Sequence, residues 1–474
     1  MHNVCRCFLI SLALGLLLTT SSVAQGVAVG WSTDDALSAP TQKAAYFALL
    51  KANNIDSDRQ GIEKYFDNYY FSRWTLPAST GAVRGYSREL LDTDFKELAG
   101  GARDYLLNKS FDTLRKMVAD QTVTPTARYN AIYTIGQLNQ RDAPGTNAPP
   151  VPYPQALPYL VKEFERKDGN PDYLRLGALL GILRHSILGI NDAELRDTTL
   201  PALMTKTIRD GKPTNRGIND QEMLDCFRYR AIETLGALKS TGQRGEIVNL
   251  MLELMETIEE STEIRCLAAR ALSDLNYQAA TTAGVQIPYQ KVGNALLTLG
   301  KAICDIELRR VEDARNKAKV KMGIGPLQPG MADVDPDFTQ LPPEAQQEVT
   351  NAVQRIKAEF FDIKSGIRGG SDNRFTGPTT AGILPMLASE DPVAVKLTQM
   401  TKTISQLFEY LDKGPADKPA PVVQPMGDPL GATPSLRGGG TAPKPNVNAL
   451  KVNLGLIRER LLTFSEDLDK IIAG

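Results

Sequence analysis

Apolar residues along this chain recur at three- and four-residue steps and almost nowhere at alternate positions. That period belongs to helices with one buried face; strands would show alternating runs of β-branched residues between tight turns. Pro and Gly fall between the periodic segments and mark their ends. The pattern therefore predicts an all-α chain. Residues 26–40 read as a loose leader. Thr41 to about Asn108 reads as three helices carrying Tyr65, Phe66, Tyr69, Tyr70, Phe71 and Trp74, whose large apolar area predicts core anchors. After the middle of the chain come one long helix from Pro288 to about Val320, a second from Pro343 to Ile363 and a third from Asp391 to Leu411. A loop over residues 323–343 and a glycine-rich stretch over 366–378 separate them. Residues 413–445 are a Pro/Gly-rich linker of the kind that holds no regular structure. Asn446–Ala473 closes the chain with Leu450, Leu454, Ile457, Leu461, Phe464, Leu468 and Ile471 on one helical stripe. Such a stripe must be covered. The simplest cover is a bundle with the three preceding helices; the alternative is docking on another chain.

The middle of the chain repeats itself. Four segments share an arginine, an alanine three residues on, a small residue at six and Ile or Leu at seven: Arg128, Ala131, Thr134, Ile135; Arg175, Ala178, Gly181, Ile182; Arg228, Ala231, Thr234, Leu235; Arg265, Ala268, Ala271, Leu272. The arginines are spaced by 47, 53 and 37 residues, which brackets the ~40–47-residue period of two-helix repeats. Unequal spacing fits loop insertions such as the Pro-rich Ala143 to Pro154. The small side chains let each helix press on its neighbours while Ile or Leu fills the seam. Ten residues after each arginine stand Leu138, His185, Leu238 and Leu275. Each such helix has a partner before it. Leu157-Pro158 and Leu200-Pro201 open two of them, because proline is tolerated in a first turn. Phe111 to Ala119 and Glu246 to Ile258 supply the other two.

A Leu-Pro first helix followed by an Arg-x-x-Ala second helix resembles the HEAT-like, armadillo-type repeat family over roughly residues 108–278. The resemblance implies an α-solenoid, an arginine that often bonds between neighbouring repeats, and a role as scaffold or binding surface. It brings no catalytic residues with it, and a fold alone does not fix a function. The expected organisation is residues 1–24 as a signal peptide, 25–107 as an N-terminal helical segment, 108–278 as the repeat solenoid, 288–412 as a long helix plus helical bundle, 413–445 as linker and 446–474 as the C-terminal helix.

The first residues predict export. Arg6 precedes a short apolar run, Phe8 to Leu18, and Ser22 and Ala24 suit cleavage before Gln25. No later stretch is apolar enough for a transmembrane span of ~20 residues. Periplasm, envelope or the extracellular space is therefore expected. Cys5 and Cys7 precede the apolar run; Cys226, Cys266 and Cys304 lie among apolar neighbours and read as buried thiols rather than a disulfide framework. With 54 basic against 55 acidic residues in 474, the chain lacks the basic excess of a nucleic-acid binder.

Chemistry-bearing patterns are scarce. His2 and His185 are the only histidines, which excludes multi-histidine zinc motifs. His185 stands where the other repeats carry leucine, so it reads as a packed residue. Asp333, Asp335, Asp337 and Glu344 match positions 1, 3, 5 and 12 of a calcium loop. Phe338 stands where that loop needs glycine and Pro336 stiffens it, so the segment reads instead as an acidic lead into the helix after Pro342 and Pro343. Asn108-Lys109-Ser110 is a glycosylation sequon by pattern only. No catalytic, metal or cofactor-binding residue is assigned and no cofactor is expected. The leading expectation is a scaffold presenting a surface to a protein, peptide or polymer, with Tyr133, Arg230 and Glu233 as exposed second-helix candidates. A carboxylate-dependent hydrolase of extracellular polymers and a self-assembling envelope protein, homo-oligomeric through the C-terminal helix, are the alternatives.

Overall fold

The computed structural model describes residues 31, 40–144, 148–166, 170–210, 220–321, 341, 343–369, 382–413 and 452–474. Among these the chain is all-α; its one extended element pairs Asn139–Arg141 antiparallel with Val151–Pro152. It divides into two compact units, one ending at Pro288 and one beginning at Tyr289. The proposed signal peptide, residues 414–445 of the expected linker and Asp333, Asp335 and Asp337 lie outside the described residues, while Lys413 is helical.

The first unit opens with α1 (Pro40–Lys51), α2 (Arg59–Tyr65) and α3 (Val83–Arg88). α2 and α3 each run on into a π-helical turn, Phe66–Tyr70 and Glu89–Asp94. The aromatic cluster is core: Tyr65, Phe66, Tyr70, Phe71 and Trp74 are buried, with rings 5.0–6.1 Å apart in tilted and edge-on pairs. α4 (Gly100–Ala119) runs through residue 108, where the repeat region was expected to begin. No breaker stands between Arg103 and Ala119, and Gly100, at a φ of +56°, is where the chain turns into the helix. Asn108 of the sequon is therefore mid-helix, accepting a hydrogen bond from the Tyr153 hydroxyl, and Ser110 is fully buried.

Helix pairs follow: α4 with α5 (Pro125–Gln137), α6 (Ala156–Glu165) with α7 (Asp172–Leu188), α8 (Leu200–Asp210) with α9 (Asp220–Ala237), and α10 (Glu246–Glu256) with α11 (Thr262–Ser273), then short α12 (Tyr277–Thr282). Local chemistry sets the starts of the second helices. Thr124 caps α5 through the Ala127 amide ahead of Pro125, and Ser261 caps α11 through the Ile264 amide. The second helices α5, α7, α9 and α11 pack one against the next, each beside its own first helix, and α3 packs on α5. One residue of the stretch read as a loose leader is seated: Trp31 packs on Val123 and Ala127 at the α4–α5 turn.

The second unit contains α13 (Tyr289–Lys321), α14 (Pro343–Arg368), α15 (Pro392–Lys413) and α16 (Leu454–Ala473). α16 packs on α13 and α15, and Phe464 meets Phe360 of α14 edge-on at 5.0 Å. Of the terminal stripe, Leu454, Ile457, Leu461, Phe464 and Leu468 are buried within the chain and Ile471 is half-buried, while Leu450 lies outside the described residues. Glycines admit close approach here as well: a Cβ on Gly293 would strike Val393, and one on Gly300 would strike Met400. Across α13 and α14, fully buried Glu307 accepts from Arg310 at 2.6 Å and from Arg355 at 2.9 and 3.0 Å.

Candidate binding surface

The four repeated arginines do the same thing. Arg128 Nε donates to the Val118 carbonyl at 3.0 Å, Arg175 Nε to Phe164 at 3.2 Å, Arg228 Nε to Ile208 at 2.9 Å and Arg265 Nε to Met255 at 3.0 Å. Each acceptor lies in the last turn of the paired first helix, where carbonyls lack intrahelical partners and the helix dipole favours a cation. The arginine therefore ties second helix to first within a pair. Contacts to the next pair come from Nη atoms: Arg128 reaches the Tyr173 hydroxyl at 3.4 Å, and Arg228 pairs with Glu260.

Neighbouring second helices meet at small residues. A Cβ on Gly136 would lie 2.6 Å from Gly181 Cα, and one on Gly236 would lie 3.3 Å from Ala271 Cα. In both contacts the residue eight past one arginine meets the residue six past the next. Ser87 of α3 meets Thr134 in the same way, hydroxyl to hydroxyl at 2.7 Å. Gly181 and Ala271 follow from the repeat pattern. Gly136 and Gly236 are missed by it, although their shared offset from Arg128 and Arg228 was there to be read.

Five residues past each arginine stand Tyr133, Leu180, Glu233 and Arg270: Tyr133 and Arg270 are exposed, Leu180 and Glu233 half-buried. Tyr133 stacks on Tyr129 with ring centroids 6.3 Å apart. Arg230 and Glu233 pair at 2.5 Å, with the guanidinium over Tyr229. Of the three candidates expected to be exposed, only Tyr133 is; Arg230 and Glu233 are half-buried, because they pair with each other on α9. Arg184 braces the same region, donating to the Gly136 carbonyl at 3.1 Å and Asn139 Oδ1 at 2.6 Å. Burial lowers its pKa to about 10, which still leaves it charged at neutral pH. A surface mixing tyrosine, leucine and both charges suits contact; it sets up no nucleophile beside a base.

His185 is buried with Nε2 lacking a hydrogen-bond partner. Burial, and then the neighbouring Arg184 charge, lower its pKa to about 3, so it is a neutral core imidazole. Cys226, Cys266 and Cys304 are buried, and burial raises the Cys304 thiol to about 12. Glu344, the described member of the calcium-like pattern, pairs with Lys321 at 2.5 Å. Among the described residues no group of three or more His, Cys, Asp or Glu is placed to hold a metal ion, and no helix is long and apolar enough to cross a membrane.

A second charged cluster joins the N-terminal elements. Lys43 of α1 reaches Glu89 and, at 2.9 Å, Asp94; the Tyr70 hydroxyl donates to Asp94; Arg73 pairs with Glu89 at 2.7 Å and lies over Tyr86 and Tyr70. Burial raises the Asp94 carboxyl above its usual range, against the Tyr70 and Lys43 hydrogen bonds. At Glu89 burial is outweighed by Lys43 and Arg73, which hold it below that range. Sequence reading missed this cluster because its members are scattered over 52 positions of the chain with no shared spacing.

Comparison with protein-family models, curated proteins and solved structures finds no match to this chain.

Proposed function

We propose that this chain is an exported HEAT-like helical-repeat protein that holds a protein, peptide or polymer partner along its second helices. The carrying observation is the fourfold recurrence of the arginine Nε contact to a first-helix carbonyl. It supports one pair geometry used four times, and repeated pairs of this kind stack into solenoids with extended surfaces. The row of Tyr133, Leu180, Glu233 and Arg270 is the part of that surface assigned to the partner. Export rests on the apolar run ending at Leu18 and the small residues Ser22 and Ala24. The test is crosslinking capture from envelope extract of the native host, with chain from Gln25 onward and with a Tyr133→Ala, Arg270→Glu variant. A partner captured in constant ratio by the parent and at least tenfold less by the variant supports the reading. Equal capture by both removes the second-helix row from it.

One observation favours a hydrolase as the second reading. Glu89 and Asp94 share one ammonium while their environments move their pKa values in opposite directions, as acid and base pairs require. Against it, Asp94 is 1% exposed and cannot touch a polymer. Turnover of a polysaccharide panel that disappears in Glu89→Gln would revive this reading; no turnover by the parent would end it. Self-assembly through the terminal helix draws less support from its apolar stripe, because Ile457, Leu461, Phe464 and Leu468 are buried within the chain.

A further inference from the structure

Trp31 is fixed by a site that suits an indole and little else. Its ring packs on Val123 and Ala127, and its Nε1 donates to Asp120 Oδ2 at 3.0 Å. The other Asp120 oxygen is held in place by Thr122, which donates from its amide at 2.8 Å and its hydroxyl at 2.7 Å. Burial works against the ionised carboxyl, but the Thr122 and Trp31 donors outweigh it and hold Asp120 below its usual range. An apolar floor with one oriented acceptor at its edge satisfies both halves of a tryptophan side chain: the ring loses water and the N–H keeps a partner. Phenylalanine would leave the acceptor unused, and lysine would leave the floor wet.

We propose that the α4–α5 turn is a tryptophan-acceptor niche, filled in cis by Trp31, and that this contact is a releasable latch. Release is cheap because the latch is one half-buried side chain on a rim rather than a core anchor; Trp74, the other tryptophan, is fully buried. The niche belongs to the first helix pair and uses none of the second-helix row, so the latch stands or falls independently of the proposed binding surface.

The chain from Gln25 onward tests this through acrylamide quenching of tryptophan fluorescence, with a Trp31→Phe variant supplying the Trp74 background. Trp31 is expected to be quenched several-fold less than N-acetyltryptophanamide. Asp120→Ala should raise its quenching constant at least twofold and speed chymotrypsin cleavage after Trp31 by a similar factor, at unchanged helical circular dichroism. Thr122→Ala, which frees the carboxylate to turn, should move both readings in the same direction and serves if Asp120→Ala loses helicity. Quenching in the parent equal to that of the free indole compound, or unchanged by both substitutions, overturns the latch. Protection that disappears on dilution assigns the indole to a second copy and overturns the cis arrangement.

Discussion

His185 is the residue at which this chain departs from its own pattern. Leu138, Leu238 and Leu275 fill the matching positions and are buried; His185 is equally buried but brings a ring nitrogen without a partner. Its cost depends on pH. The folded chain keeps the imidazole neutral down to about 3, whereas an unfolded histidine takes a proton near 6.5. Between those values the unfolded state binds more protons, so stability rises with pH. The contribution of a neutral His185 is therefore complete above about 6.5 and is lost as pH falls towards 3, at about 1.4 kcal/mol per unit. His185→Leu removes that loss. Its stability relative to the parent should be greater at pH 4 than at pH 7 by about 3 kcal/mol. Urea unfolding of both chains at the two pH values reads this double difference, in which all other titrating groups cancel. An equal difference at both pH values would mean that the imidazole is protonated within the fold. The same residue shows what sequence supplies and withholds: its offset from Arg175 placed it in the core, but nothing in the spacing says that Nε2 would find no hydrogen-bond partner.

At the scale of helices, contact distance matters more than helix propensity. Gly136 and Gly85 are both helical glycines, and replacing either with alanine should gain roughly 0.5–1 kcal/mol of intrinsic helix preference. Nothing lies within 4 Å of a Cβ at Gly85, whereas at Gly136 it would press on the Gly181 backbone at 2.6 Å. Gly85→Ala should therefore stabilise the chain by about 0.5–1 kcal/mol, and Gly136→Ala should destabilise it by roughly 1–3 kcal/mol as α5 and α7 are forced apart. Thermal unfolding of the two variants should shift in opposite directions; a gain at both would mean that the helices can separate without loss. In the bundle, Arg355→Ala leaves buried Glu307 with Arg310 alone and should cost about 3 kcal/mol, read from the denaturant midpoint of α13–α16 helicity. A smaller loss would show that Arg310, or water, suffices for Glu307. Elements of this kind were readable in proportion to their periodicity. The α13 and α16 segments announced themselves by apolar steps of three and four. The start of α4 at Gly100 did not, because Gly100, Gly101 and Asp104 carry no apolar signal. The two π turns were also hidden: an inserted residue at Tyr70 or Asp94 changes which side chains face inward without changing composition.

At the scale of the whole molecule, the opposing charges nearly cancel, 54 against 55. The proposed surface repeats this balance locally, with Arg230 held by Glu233 and Tyr133 stacked on Tyr129. Such a surface should bind through apolar area and directed hydrogen bonds, which salt screens weakly, rather than through release of counterions. A protein neutralising six to ten phosphates loses about 10³–10⁵ in affinity between 50 and 200 mM salt. For the partner captured through the second helices, the dissociation constant should instead change by less than about tenfold over that range. Titration of that partner at the two salt concentrations, with the Tyr133→Ala and Arg270→Glu substitutions made separately, locates the source of affinity. Loss in Tyr133→Ala at both concentrations assigns it to the aromatic end of the row. Loss in Arg270→Glu that shrinks as salt rises assigns a long-range electrostatic share to the other end. A steep salt dependence in the parent would contradict the balance of charges and point to a polyanionic partner.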